Sequence, residues 1–268
     1  MTPIFVLSFK GSSRLIKIKN NLTKLGLPFK VIYGIDGRKF ENNYFLDSVY
    51  NKYKAELSIG RKMLYTEIAC AYGHLKIYNE IVKKKLQNAI ILEDDIIVSK
   101  NFKDWVEKNF FLKEYDLLAF IATSGFIKKI SVFEKFCIFK FISHFYSTSA
   151  YQINIKTCKK IIRVSKNKVI GFADWPINLV KHNIKAAIIT PFLVMLSDQQ
   201  YTYVKNDRDK FFKKRILKKI LPKNLLELIL IFYYISFIPY IFKIYKDLDY
   251  YKERFFKKKN IIIIFFNF

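Results

Sequence analysis

Three consecutive carboxylates, Glu93-Asp94-Asp95, sit between the apolar runs Ala89–Leu92 and Ile96-Ile97. They interrupt a chain that carries 48 Lys and Arg against 22 Asp and Glu. Apolar β-formers ahead of the acids read as a buried strand of an α/β sheet. The acids then fall at the strand's carboxyl end, where open α/β sheets place ligands. Clustered carboxylates repel one another unless a cation lies between them, and a hard divalent ion with oxygen ligands fits. A solvated turn, or the N-cap of a following helix, would use the same residue types. On the triplet alone both readings stand.

Glu67 and His74 are the next chemistry-bearing pair. They are seven residues apart and border an apolar stripe at helical spacing, Ile68, Tyr72, Leu75, Tyr78 and Val82. That helix comes just before the acidic strand, so its acid and imidazole can reach the same site. The plainer alternative makes His74 a core-edge histidine and Glu67 a first-turn acid that favours the helix dipole. Asp174 stands in Gly171-Phe172-Ala173-Asp174-Trp175-Pro176. There it would cap a short helix over Ile177–Lys181, with Pro176 tolerated in the first turn.

The elements that must position these residues follow from periodicity. Ile4–Ser8 predicts a strand and Lys10–Arg14 a polar turn. Leu15, Ile18, Leu22 and Leu25 then predict a helix that Gly26 stops. Phe29–Tyr33 predicts a second strand, giving the β-turn-α-β opening of a doubly wound sheet. The first turn could meet a nucleotide, with Arg14 available for its charge, or it could be an ordinary surface turn. Residues 38–64 are weakly patterned and read as a mobile connection. Asn101–Phe110 predicts a helix and Leu117–Ala122 a strand. Residues 123–145 lack clean periodicity and suggest a lid or an acceptor-side loop. Ser149–Ile153 predicts a strand, Lys156–Val164 a helix, and Ala186–Pro191 a late strand leading toward Ser197-Asp198-Gln199.

Composition sets the outer bounds. A length of 268 residues and an apolar fraction of 51% support one sizeable α/β domain with an appendage. The net charge of +26 invites anionic partners, yet no recognisable nucleic-acid motif accompanies it, so nucleic acid is not expected. Cys70, Cys137 and Cys158 are too spread for a disulfide framework or a zinc site and suit a reducing compartment. No signal-peptide pattern opens the chain, which points to the cytoplasmic side. From about Val204 the character changes: residues 205–268 hold sixteen Lys and Arg against six Asp and Glu. Within them Leu225–Phe242 is apolar but for Glu227 and is broken by Pro239. A basic, apolar tail of this kind is expected to be helical and to lie on an anionic membrane surface, peripheral on the inner membrane.

Taken in order, Phe5–Arg14, Glu67, Gly73-His74, Ile90–Asp95, the Ser149-Ala150-Tyr151 strand and Asp174 resemble glycosyltransferase family 25. These are the bacterial lipopolysaccharide and lipooligosaccharide galactosyltransferases, whose domain also occurs in collagen-modifying enzymes. The resemblance covers roughly residues 1–204, and its most specific part is Glu67-x₆-His74 followed by Leu92-Glu93-Asp94-Asp95. The family commonly has Ser-His where this chain has Gly73-His74. The resemblance implies a GT-A-like α/β fold, a mixed sheet flanked by helices, built to use UDP-galactose with a divalent metal such as Mn²⁺. Glu93-Asp94-Asp95 would match the family's Asp-x-Asp-type element, with Asp95 and Glu93 toward the metal and Glu93 also toward the ribose. Ser8, Arg14, Glu67, His74 and Asp94 would line the donor site. Asp174, or secondarily Asp198, would be the base that takes the acceptor hydroxyl proton, and the acceptor would be a surface glycolipid. The competing function is a non-enzymatic basic protein that binds membrane or nucleic acid through charge. A third keeps the fold for nucleotidyl or phosphoryl transfer, but neither a Walker-type loop nor a dinucleotide fingerprint is present to favour it.

Overall fold

The computed structural model describes residues 1–39, 43–108, 110, 113–122, 124–143, 145–197, 204, 207–208 and the backbone of 261–265. The chain divides into a compact unit of Met1–Thr202 with Ile263–Phe268 and a second unit of Tyr203–Ile262. Every described site residue belongs to the first.

The opening is β-α-β as expected: β1 (Ile4–Phe9), α1 (Ser13–Lys24) and β2 (Lys30–Gly34), with β2 parallel to β1. Next come α2 (Asn43–Val49), α3 (Lys52–Ile59), the long α4 (Tyr65–Lys83), β3 (Asn88–Glu93), β4 (Ile96–Val98) and α5 (Lys100–Glu107). The second half holds β5 (Leu117–Ala119), β6 (Ser124–Phe133), β7 (Phe136–Phe141), β8 (Ala150–Asn154), α6 (Ile155–Ser165), β9 (Ala186–Thr190) and β10 (Val194–Leu196). Ile261–Phe265 (β11) is a strand rather than part of a helical tail. The main sheet runs β11-β6-β7-β9-β5-β8-β3-β1-β2, and β4 pairs separately with β10. Strands β1, β2 and β3 are mutually parallel, as are β5 and β9, whereas β8 runs antiparallel to both β3 and β5. The expected mixed sheet flanked by helices is therefore what forms.

Strand alternation divides the core between the sheet's two faces. From β1 and β3, Phe5, Leu7, Ala89 and Ile91 pack with Leu75, Tyr78 and Ile81 of α4 and Ile161 of α6. Ile4, Val6, Ile90 and Leu92 pack the other way, with Ile18 and Leu22 of α1 and Phe102 and Trp105 of α5. Both faces are dry, so the strand before the acids reads as one continuous apolar run.

Four expectations change. Residues 38–64 are not a loose connection, because α2 and α3 dock on α4. Val49, Tyr50, Ala55 and Met63 bury against Ile68, Ala71 and Val169, and Asn51 caps α3 by accepting from Lys54 N. Gly37 lies so close to the start of α4 that a Cβ there would sit 2.6 Å from Tyr65 O and Thr66 Cα. Residues 123–145 are not a lid: β6 and β7 form an antiparallel hairpin that joins the sheet through β9. Ile177–Lys181 makes turns instead of a helix, so Asp174 caps nothing there. The strand over Leu117–Ala122 stops at Ala119. No helix among the described residues is long and apolar enough to cross a membrane. The helix expected over Leu225–Phe242 lies outside the described residues.

Candidate active site

Because β1 and β3 are parallel neighbours, with Leu7 beside Glu93, their carboxyl ends open side by side. The turn into α1 and the turn after β3 therefore meet. Asp94 is buried there and saturated. Ser8 Oγ and Ser12 Oγ donate to its Oδ2 at 2.6 and 2.7 Å, and the Arg14 guanidinium holds its Oδ1 at 2.7 Å. Asp94 thus clamps the first turn to the third strand.

Asp95 is different. Its Oδ2 lies 3.4 Å from Arg14 Nη1, a loose contact, and among the described residues its buried Oδ1 has no hydrogen-bond partner. Its main-chain carbonyl accepts from Ser197 N at 2.8 Å, which ties the turn to the end of β10. Burial, and then repulsion from Glu93, push its carboxyl up to about 7, against the partial relief of Arg14. A buried carboxylate oxygen of this kind inside an acidic turn is a ready ligand for a cation, and oxygen ligands of this charge suit Mg²⁺ or Mn²⁺. These residues fit the divalent metal expected from the sequence.

Glu93 faces the opposite side of the strand. Burial pushes its carboxyl up, but the hydrogen bond and charge of His74, with Thr148, outweigh that and leave it below the ordinary glutamate value. His74 Nε2 donates to Glu93 Oε1 at 3.1 Å, and Thr148 Oγ1 donates to the same oxygen at 3.1 Å. Nδ1 of the same ring lies 2.8 Å from the Tyr151 hydroxyl, which donates to it whenever the ring carries its proton on Nε2 alone. Burial holds the Tyr151 phenol well above its ordinary range, so it keeps the proton it donates. Tyr78 lies 2.7 Å beyond. The imidazole is held because α4 passes close to β1: a Cβ on Gly73 would come within 2.7 Å of Leu7 Cδ1. A serine at position 73 would need Leu7 to move.

Asp174 reaches the same neighbourhood through Thr148. Its Oδ1 accepts from Ser147 N at 3.0 Å and lies 3.5 Å from Thr148 Oγ1. The backbone on both sides is strained, with φ of 117° at Ser147 and 66° at Trp175. Positive φ at a residue as bulky as tryptophan persists only where the surroundings enforce it. Here Trp175 is buried against Phe145 and Tyr151.

Glu67 is not brought to the acids. Both its oxygens are taken by Arg61, at 2.6 and 2.9 Å, and it also accepts from Leu64 N at the start of its own helix. Arg61 lies over the Phe172 ring, so Glu67 bears on the segment carrying Asp174 rather than on Asp95. Asp198 lies outside the described residues. Spacing along the chain gives Ser12, Cys70, Thr148 and Tyr151 no place in the site; the fold brings them there. Tyr78 was assigned only to the apolar stripe, although it stands one turn beyond His74. Beside Asp94, Arg14, Lys17, Asn21 and Lys24 of α1 line one wall of a groove of about 440 Å³, with Ile96 and Ile97 opposite.

A family model described as glycosyltransferase family 25 (LPS biosynthesis protein) matches residues 1–176. A curated Rattus norvegicus protein named probable inactive glycosyltransferase 25 family member 3 is 25% identical over 109 residues, 39% of this chain. The match spans 19% of that relative's length. Among solved structures, the inositol-1-phosphate CTP transferase from T. maritima aligns with a TM-score of 0.39 at 11% identity, covering 77% of this chain and 94% of that one. A glycosyltransferase involved in glycosylation of the major capsid of PBCV-1 aligns with a TM-score of 0.31 at 10% identity, covering 61% and 66%.

Proposed function

The chain belongs to glycosyltransferase family 25, and on that premise we propose that it is a metal-dependent, inverting hexosyltransferase. It moves galactose from UDP-galactose onto a lipopolysaccharide or lipooligosaccharide acceptor. The observation that carries the reading is Asp95 Oδ1, a buried carboxylate oxygen at the carboxyl end of a central strand, without a hydrogen-bond partner among the described residues. Asp95 would hold the divalent ion, and the ion would supply charge neutralisation for the departing diphosphate. Arg14 bears on the same acids and, with Lys17 and Lys24, gives the adjoining groove a cationic wall suited to an anionic ligand.

The acceptor hydroxyl oxygen bonds to the anomeric carbon as the bond from that carbon to the diphosphate oxygen breaks, so configuration inverts. The hydroxyl proton passes to Asp174, which Ser147 and Thr148 fix in place. Glu93, oriented by His74 and Thr148, faces the ribose. Residues 1–204 act as the transferase domain, and the basic segment of 205–268 keeps the enzyme at the anionic inner membrane where its glycolipid acceptor resides.

The test is a donor screen on the full chain with Mn²⁺ and UDP-galactose, UDP-glucose or UDP-N-acetylglucosamine, reading UDP release and glycolipid mass. Metal-dependent UDP release with UDP-galactose is expected. Release independent of metal would remove the role of Asp95, and no turnover of any donor would overturn the reading.

A further inference from the structure

Cys70, His74 and Glu93 stand together on the side of β3 away from Asp95, and we infer that they form a second metal site, for a borderline-soft divalent ion such as Zn²⁺. Cys70 precedes His74 by one turn of α4, which stacks the thiol and the imidazole on one face of the helix. Their ligand atoms and a Glu93 carboxylate oxygen all lie within 4.8 Å of one another. His74 is buried while Cys70 and Glu93 are partly exposed, so an ion can enter from solvent.

The spacing suits tetrahedral zinc. Typical Zn–N, Zn–O and Zn–S lengths place neighbouring ligand atoms about 3.3 Å apart for nitrogen and oxygen, and about 3.5 Å apart for nitrogen and sulfur. His74 Nε2 and Glu93 Oε1 are already 3.1 Å apart, so turning the Cys70 side chain inward is the main adjustment. The outer partner is also in place. A metal-bound histidine donates its other N–H to an oxygen, and Tyr151 stands 2.8 Å from Nδ1 to receive it. The ring then carries its proton on Nδ1, Tyr151 turns its own O–H toward Tyr78, and the Cys70 thiol releases a proton on becoming a ligand. Three protein ligands leave a fourth position open to solvent or to an inhibitor.

The carboxylate oxygens of Asp95 and this thiolate-imidazole-carboxylate set differ in softness, so each selects a different ion. Glu93 serves both this set and the donor side. Zn²⁺ on the Cys70 side therefore takes Glu93 away from Thr148 and the donor side, and it inhibits without displacing Mn²⁺ from Asp95. Only that inhibition rests on the functional reading above; occupancy of the site does not.

Occupancy is read first by titrating the metal-free full chain with Co²⁺. One equivalent producing a thiolate-to-cobalt band in the near ultraviolet, lost in Cys70→Ser with at least about tenfold weaker binding, is the expected result. Absence of the band, or its survival in Cys70→Ser, overturns the site. A second readout needs no variant: Zn²⁺ should slow maleimide modification of Cys70 at least about tenfold, with Cys137 as the internal control. Equal rates with and without Zn²⁺ would refute the site independently. In transfer assays with excess Mn²⁺, Zn²⁺ inhibition should be relieved in Cys70→Ser. A cobalt band in a protein that turns over no donor would keep the site and remove the transferase reading.

Discussion

Glu93 and Asp95 are two residues apart in one acidic turn, yet their surroundings drive them in opposite directions. Glu93 has two donors on one oxygen, and its carboxyl lies below the ordinary value although the group is largely enclosed. Asp95 has one loose cation and one oxygen with no partner among the described residues, and its carboxyl rises to about 7. Burial acts on both, but at Glu93 the hydrogen bonds and charge of its partners outweigh it, whereas at Asp95 repulsion from Glu93 adds to it. The Glu93 side is complete without a ligand: Tyr78, Tyr151, His74, Glu93 and Thr148 form one connected chain. The Asp95 side is incomplete, and Asp94 cannot help because its oxygens are spent on Ser8, Ser12 and Arg14. A complete network beside an incomplete one separates orientation from binding.

The strongest way to break that contrast is Asp95→Asn. If Asp95 carries the metal, transfer falls by about 10³-fold or more, as expected when several kcal/mol of charge stabilisation are lost. The same variant tests the incompleteness without any turnover. A folded-state carboxyl raised from 3.8 to about 7 favours the metal-free fold fully below pH 3.8 and loses that favour as pH rises through about 7. Thermal melts of the metal-free wild type should therefore decline across this window by up to a few kcal/mol. Asp95→Asn should flatten the decline, and Mn²⁺ should reverse it in wild type alone. An unchanged slope in the variant would show that Asp95 does not titrate as described.

Asp174→Asn is expected to cost about 10²-fold in kcat with the donor KM little changed, the usual scale for losing a general base. Asparagine can still accept from Ser147 N, so the strained segment keeps its tether. Normal turnover by this variant would remove Asp174 as the base and turn attention to Asp198. Gly37→Val comes next and acts on stability alone. Its side chain would meet the backbone of Tyr65 and Thr66, where nothing flexible can give way. A loss of about 1–3 kcal/mol in denaturant unfolding is expected.

What could be read in the sequence follows from how local each signal is. The acids at the end of β3 were legible because an apolar strand with both faces buried is a continuous run, and its end is unmistakable. His74 was legible by its spacing on an amphipathic helix. Its dependence on Tyr151 was not, because 77 residues separate them and only the antiparallel pairing of β3 with β8 brings them together. Glu67 shows the opposite failure. Helical spacing placed it on the same face as His74, but rotamer and partner decide where a carboxylate points, and Arg61 six residues earlier claimed it. Helices α2 and α3 were hidden because their faces are barely segregated and what holds them is docking on α4. The β6–β7 hairpin was hidden by long Lys and Phe side chains that blur strict alternation.

The smallest expected effect is also the sharpest probe of the comparison. Tyr151→Phe keeps the ring that packs 5.0 Å from Trp175 and 5.8 Å from His74, and removes only the hydroxyl. His74 Nδ1 is then buried without a donor, which costs about 1–3 kcal/mol of stability. The imidazole is no longer fixed to offer Nε2–H to Glu93, so the carboxylate that faces the donor loosens. If the Glu93 side orients and the Asp95 side binds metal, the donor KM rises a few-fold while the Mn²⁺ concentration for half-maximal activity stays within about twofold. Should Mn²⁺ affinity fall as steeply as donor affinity, the two sides are one metal site, and the division drawn between neighbouring carboxylates fails.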